Sequence, residues 1–187
     1  MKRHPSLHAL SEHHHHALVQ ALLIRRAVYP ESRKAGRRAG EKPRQRRAAL
    51  RRVARDYLRF WQTTGHLHFR EEEEVLLPAF ARHVALDTVP AVTRMLAQHA
   101  AIRARIEQLS ASLAANRNLE PELTALGQLL HDHVRLEENQ IFPRIEAALG
   151  EKELRRLGRR LSRLHGPPRR PTGSQARKRR TTTGRKG

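Results

Sequence analysis

Two stretches of this chain carry residues of the kind that hold a buried metal ion. One is HFREEEEVLLP, His68 to Pro78, and the other is HVRLEENQIFP, His133 to Pro143, 65 residues further on. Both read His, apolar, Arg, a variable residue, Glu, Glu, two variable residues, two apolar residues, Pro. In each, the His precedes the first Glu by four positions, giving the pairs His68–Glu72 and His133–Glu137. On a helix such a pair shares one face with its Cβ atoms about 6 Å apart. An imidazole nitrogen and a carboxylate can then meet on one ion, or the carboxylate can bridge two. Taken alone, a run of four Glu is ordinarily a solvated face; the second copy of the spacing argues against that reading. Leu76 and Ile141 each follow the His by eight positions and fit the same inward stripe.

Two single histidines complete the set. His14 has Leu10, Ala17 and Ala21 at offsets −4, +3 and +7, and His99 has Met95, Ile102 and Ile106 at the same offsets. Within the run His13 to His16, His14 shares its stripe with Leu10 and Leu18. His15 is the alternative, with Ser11 behind it. Four imidazoles and two carboxylates thus face one interior, about what two metal ions require. The chain has no cysteine, so thiolate sites are excluded and the donors suit iron, manganese or zinc. Glu73 and Glu138 fall beside this face and read as outer or exposed carboxylates. Phe69, Phe80 and Phe142 read as core that also shields the site.

The elements that must position these side chains are helical throughout. The first spans about Ser6 to Val28 and is ended by Pro30. The second runs from about Ala48 to Leu77, with a break possible near Gly65, and stops at Pro78. The third covers about Thr88 to Ala115, with Pro90 in its first turn. The fourth runs from about Glu122 to Phe142 and stops at Pro143. A short amphipathic helix, about Glu151 to Leu164, carries Leu154, Leu157, Leu161 and Leu164 on one stripe. This pattern predicts an all-α fold, an up-and-down antiparallel four-helix bundle with a short fifth C-terminal helix. The bundle is expected over residues 1–165, with a basic mobile loop at 31–46 and a disordered basic tail at 166–187.

The formal net charge is +20, which at first suggests a nucleic-acid binder. Its distribution weakens that reading. Residues 25–55 carry 13 basic and 2 acidic groups, residues 166–187 carry 8 basic and none acidic, and residues 56–165 balance at 15 of each. The excess therefore sits in the loop region and the tail, and neither has the interleaved aromatics of a base-stacking surface. Weak nucleic-acid contact through these segments is the most they imply. No apolar run approaches the ~18 residues of a membrane span, and the N-terminus lacks the apolar stretch of a signal peptide. A cytoplasmic protein with no membrane partner is expected.

Residues 7–143 resemble the hemerythrin-like family of HHE cation-binding domains. HFREEEEVLLP and HVRLEENQIFP carry the resemblance, supported by LSEHHHHALVQAL and QHAAIRARI. It implies a non-haem di-iron centre, two iron ions held by His14, His68, Glu72, His99, His133 and Glu137, with Glu72 and Glu137 bridging. It also implies a small diatomic ligand, oxygen or nitric oxide, that is bound or sensed, or a role in handling iron. The alternatives are a di-iron enzyme that reduces peroxide or nitric oxide, and a basic nucleic-acid-associated bundle. Oxygen carriers of the family have a second His one turn after the third-helix ligand. Here that position is Arg103, so reversible oxygen carriage is not expected.

Overall fold

The computed structural model describes residues 3–29 and 43–164. Among them the fold is all-helical, with no strand, and forms a helical bundle. Helix α1 is His8–Val28, entered through a 3₁₀ turn, Pro5–Leu7, whose start is capped by the His4 ring accepting from the Ser6 N–H. Helix α2 occupies residues 43–80, α3 is Pro90–Ala114, α4 occupies residues 120–148, and α5 is Glu151–Leu164. Residues 43–46, expected in the loop, form the first turn of α2. The rest of that loop and the tail lie outside the described residues.

Pro78 and Pro143 do not end their helices as the sequence suggested. Proline lacks an N–H, and its ring presses on the carbonyl four residues back. In both repeats the preceding turn widens to a π-turn, Glu72–Leu76 and Glu137–Ile141. The Leu77 N–H reaches back to the Glu72 carbonyl, and the Phe142 N–H to that of Glu137. The added width lets α2 continue to Phe80 and α4 to Ala148. The Glu of each His–Glu pair, Glu72 and Glu137, opens the π-turn in its copy, and such turns concentrate at functional sites. A third π-turn, Trp61–Gly65, lies where the break near Gly65 was expected.

The turn after α3 closes around Asn116, whose φ of 56° is the left-handed conformation that asparagine tolerates at a helix end. Arg117 N–H then reaches the Ser112 carbonyl at 2.9 Å, and Asn116 N–H that of Leu113 at 3.3 Å. Arg51 donates to the Asn116 side chain at 2.7 Å and ties the turn to α2.

The apolar interior is divided in two. One cluster joins Leu7, Leu10, Leu76, Phe80, Met95, Ile141, Phe142 and the α5 stripe Leu154, Leu157 and Leu161. The other joins Ala17, Ile24, Tyr57, Phe69, Ile102, Leu109, Leu126 and Leu130. Each fully buried Leu, Ile or Phe contributes about 1.5–3 kcal/mol. The side chains between the clusters are polar: His14, His68, Glu71, Glu72, His99, His133 and Glu137 are all buried. A polar layer across a core is costly unless its groups are paired or bind an ion. Helix α5 closes one end of the bundle. It approaches the N-terminal turn so closely that a Cβ on Gly158 would stand 2.9 Å from Ser6 Oγ and 3.2 Å from its Cα.

Candidate metal centre

Helices α1 to α4 each send one imidazole into the polar layer, and α2 and α4 each add a carboxylate one turn later. All six sequence-predicted residues meet there, each at most 5 % exposed. Glu72 Oε1 lies 3.3 Å from His68 Nε2 and 3.8 Å from His14 Nε2, while Glu72 Oε2 lies 3.4 Å from His99 Nε2. Glu137 Oε2 lies 2.8 Å from His14 Nε2, while Glu137 Oε1 lies 3.1 Å from His133 Nε2 and 3.5 Å from His99 Nε2. Each carboxylate therefore turns one oxygen to His14 or His68 and the other to His99. Two donor groups result, His14–His68–Glu72–Glu137 and Glu72–His99–His133–Glu137, each with its donor atoms within 4.8 Å of one another. They share both carboxylates, the arrangement in which Glu72 and Glu137 can bridge two ions.

The four Nε2 atoms and all four carboxylate oxygens are buried, yet none makes a hydrogen bond of acceptable geometry. Orphaned polar atoms are rare in protein interiors. Eight of them converging from four helices, all nitrogen or oxygen donors, fit a cation centre.

The outer ring nitrogens are held from behind. His14 Nδ1 meets Glu138 Oε1 at 2.7 Å, His99 Nδ1 meets Glu73 Oε1 at 2.6 Å, and His133 Nδ1 meets Gln98 Oε1 at 3.3 Å. Acceptors at Nδ1 fix the ring so that Nε2 offers its lone pair inward, and they raise its basicity. His68 Nδ1 faces Glu71 Oε2 at 3.9 Å, beyond hydrogen-bonding distance, and His13 Nδ1 approaches the same oxygen at 3.2 Å. Two of these supports are built alike. Arg3 donates to Glu138 at 2.6 Å and lies 5.0 Å over the Phe142 ring, which stacks on His14. Arg103 donates to Glu73 at 2.9 Å and lies 5.2 Å over the Phe69 ring, which stacks on His99 at 3.7 Å between centroids.

The electrostatics follow from this packing. Burial pushes His68 down to about 4 and lowers His133. Burial also acts to lower His99, but Glu137 and Glu72 outweigh it and raise the ring to about 10. His14 rises well above its ordinary value because Glu137, Glu138 and Glu72 overcome the same desolvation. Burial would raise Glu72 and Glu137, yet the surrounding imidazoles hold both below the usual carboxylate range. Glu138 is likewise drawn to about 2, its burial outweighed by His14, Arg3 and Ser11. The two carboxylates thus favour the protonated form of His14 and His99, positive charge that a bound cation would replace.

His14 rather than His15 enters the cluster; His15 is exposed. Arg103 stands outside the donor set, partly exposed and paired with Glu73. Sequence reasoning missed Glu71, Gln98 and Arg3. Glu71 follows His68 by three positions and was legible as a neighbour on the same face. Gln98 and Arg3 reach their partners across the bundle, and no local spacing marks them.

The family model of the hemerythrin HHE cation binding domain matches residues 6–145 of the chain. No curated protein matches it.

Proposed function

Because the chain belongs to the hemerythrin HHE cation-binding family, we propose that it is a non-haem di-iron protein that binds or senses oxygen or nitric oxide, or handles iron. Family membership makes it a cation binder, and the buried His and Glu clusters fit a metal site. Two ions rest on the shared carboxylates: one donor group is closed by His14 and His68, the other by His99 and His133, with Glu72 and Glu137 common to both. Bound iron would supply redox chemistry and open positions for a small ligand. The chain's own residues bind it through Nε2 and carboxylate oxygens, orient those rings through Glu138, Glu73 and Gln98, and exclude water with Phe69 and Phe142.

The observation that carries this reading is the set of eight orphaned donor atoms in one buried layer. A bundle whose role was only to present basic segments to nucleic acid would have no reason to bury six ionisable side chains. An up-and-down antiparallel four-helix topology is part of the proposal. One apolar cluster draws on the starts of α1 and α3 and on the ends of α2 and α4, as that topology requires. No helix among the described residues is long and apolar enough to cross a membrane, and a cytoplasmic location is proposed on the sequence alone.

A di-iron enzyme that reduces peroxide or nitric oxide is the second reading, favoured by the two-His, two-carboxylate make-up of both donor groups. Four protein side chains would face each ion, fewer than a six-coordinate iron accepts, so positions would be left for a small ligand. Metal analysis after anaerobic loading with ferrous iron tests the centre. Close to two irons per chain is expected; a protein that cannot be loaded would refute it. Mixing the diferrous protein with oxygen separates carriage from oxidation. Irreversible oxidation is expected, and a spectrum bleached by removing oxygen and restored by returning it would show a carrier.

A further inference from the structure

His13 and Glu71 each stand one residue before an inner donor, His14 on α1 and Glu72 on α2. One step along a helix turns a side chain by about 100°, so both leave the inner layer and meet between the two helices. His13 Nδ1 lies 3.2 Å from Glu71 Oε2, and the His13 ring stands edge-on to that of His68 with 5.4 Å between centroids. His68 turns Nε2 inward, 3.3 Å from Glu72 Oε1, and Nδ1 outward, 3.9 Å from Glu71 Oε2.

His68 differs in this from the other three inner imidazoles. The Nδ1 atoms of His14, His99 and His133 each meet a hydrogen-bonding acceptor, whereas His68 Nδ1 is buried and makes no hydrogen bond. His13, His68 and Glu71 each offer a donor atom, all within 4.8 Å of one another. Imidazole and carboxylate donors suit the same divalent transition metals as the inner groups. This trio also reaches solvent. The His13 side chain is 19 % exposed, while every residue of the inner groups is at most 5 % exposed. An ion bound for the inner layer has to pass that seal, and the trio shares His68 with the layer behind it.

We propose that His13, His68 and Glu71 form an accessory cation site, which takes a divalent transition-metal ion from solution and passes it to the inner donors. A neutral imidazole carries a proton on one nitrogen and a lone pair on the other. His68 therefore serves an outer ion through Nδ1 or an inner ion through Nε2, in turn. The accessory site fills in transit and empties once the inner ion is held. The proton of His68 passes from Nε2 to Nδ1 as the ion moves in, and Glu71 Oε2 then faces that N–H. The inference rests on the proposed metal centre, to which it adds the way in.

The test is the rate of iron uptake. Metal-free protein is mixed anaerobically with a limiting amount of ferrous iron, and the iron still free is captured at intervals by a strong coloured ferrous chelator. Wild type, His13→Ala, Glu71→Gln and His16→Ala are compared, with thermal melts to check folding and with iron per chain counted after long incubation. His16 is exposed in the same histidine run and serves as the control. Even a residue behind a ligand is worth about 10- to 100-fold in cation affinity, so His13→Ala and Glu71→Gln should each slow uptake about tenfold or more. His16→Ala should load at the wild-type rate, and His13→Ala should reach the wild-type iron content in the end. Wild-type uptake by His13→Ala would overturn the proposal. So would a lowered final iron content in that variant, which would place His13 in the inner centre, or equal slowing by His16→Ala, which would make the effect a general attraction of the histidine run. A wild-type protein that takes up no iron would overturn the metal centre itself, and this inference with it.

Discussion

Glu73→Ala cuts a chain of contacts that runs from solvent to the metal centre. In the intact protein Arg103 donates to Glu73 Oε2 at 2.9 Å, and Glu73 Oε1 meets His99 Nδ1 at 2.6 Å. The Arg103 end is about two-fifths exposed, so its pair alone contributes at most about 1 kcal/mol. The His99 end is different, because that ring is fully buried. A short hydrogen bond to a carboxylate in that setting is worth about 1.5–3 kcal/mol. Glu73 itself is 29 % exposed, and water entering the gap would recover part of this, leaving about 1–2 kcal/mol. Since the bond orients the donor ring, the loss should fall mainly on cation affinity, a weakening of about 5- to 30-fold. Competition against a ferrous chelator under anaerobic conditions measures it. Glu74→Ala is the control, because Glu74 is exposed and pairs with Arg70 on its own helix. Equal, small changes in both variants would refute the claim that Glu73 supports the centre through His99.

His133→Ala and Glu137→Ala should each lower iron content and melting temperature together, because a cation that binds only the folded state adds to its stability; Glu138→Ala should do much less, and metal analysis beside calorimetry checks all three. The metal-free protein should be most stable near neutral pH. His99 gains a proton on folding, so its contribution is complete below about 6.5 and is lost as pH rises toward 10, while the lowered His68 contributes above about 6.5 and loses this as pH falls toward 4. Thermal melts from pH 4 to 10 should show that dome, and cation affinity should rise with pH as the protons on His14 and His99 are displaced. Gly158→Ala drives a methyl into Ser6 and should destabilise by about 1–3 kcal/mol through α5, leaving iron per chain unchanged in the folded protein; loss of iron there would mean that α5 bears on the centre.

The inward donors were legible because each lies on a helix with a local period. His14 and His99 sit on apolar stripes, and the His–Glu pairs share a face through i, i+4 spacing. What the sequence concealed falls into two kinds. The first concerns proline. Pro78 and Pro143 read as helix stops because a regular helix cannot carry proline inside it. Tertiary packing kept the helices going at the cost of one widened turn each. Leu76, Phe80, Ile141 and Ile145 on either side of those prolines are all buried in one cluster, and stopping at the proline would strand half of them. The second concerns long-range pairing. Arg3 and Glu138, and Gln98 and His133, are joined only once the helices pack, and no spacing along one helix announces them.

The supports behind the four imidazoles also show why the centre's two halves need not behave alike. His14 and His99 are backed by the carboxylates Glu138 and Glu73 at 2.7 and 2.6 Å, and Glu71 stands 3.9 Å from His68, but His133 is backed by the neutral amide of Gln98 at 3.3 Å. A carboxylate behind an imidazole makes it a stronger donor than an amide does. Glu138 and Glu73 are each paired with an arginine, Arg3 and Arg103, while buried Glu71 meets the His13 ring at 3.2 Å. Two carboxylates, Glu138 and Glu71, stand behind the His14–His68 half and one, Glu73, behind the His99–His133 half, so an iron held on the first side would be expected to be the harder to reduce. Gln98→Glu tests the asymmetry. A carboxylate at position 98 would give His133 the same kind of backing as His14 and His99, so two bound irons should be reduced at more similar potentials in a stepwise anaerobic titration. Two reduction steps as far apart as in wild type would show that the outer partners do not set the difference.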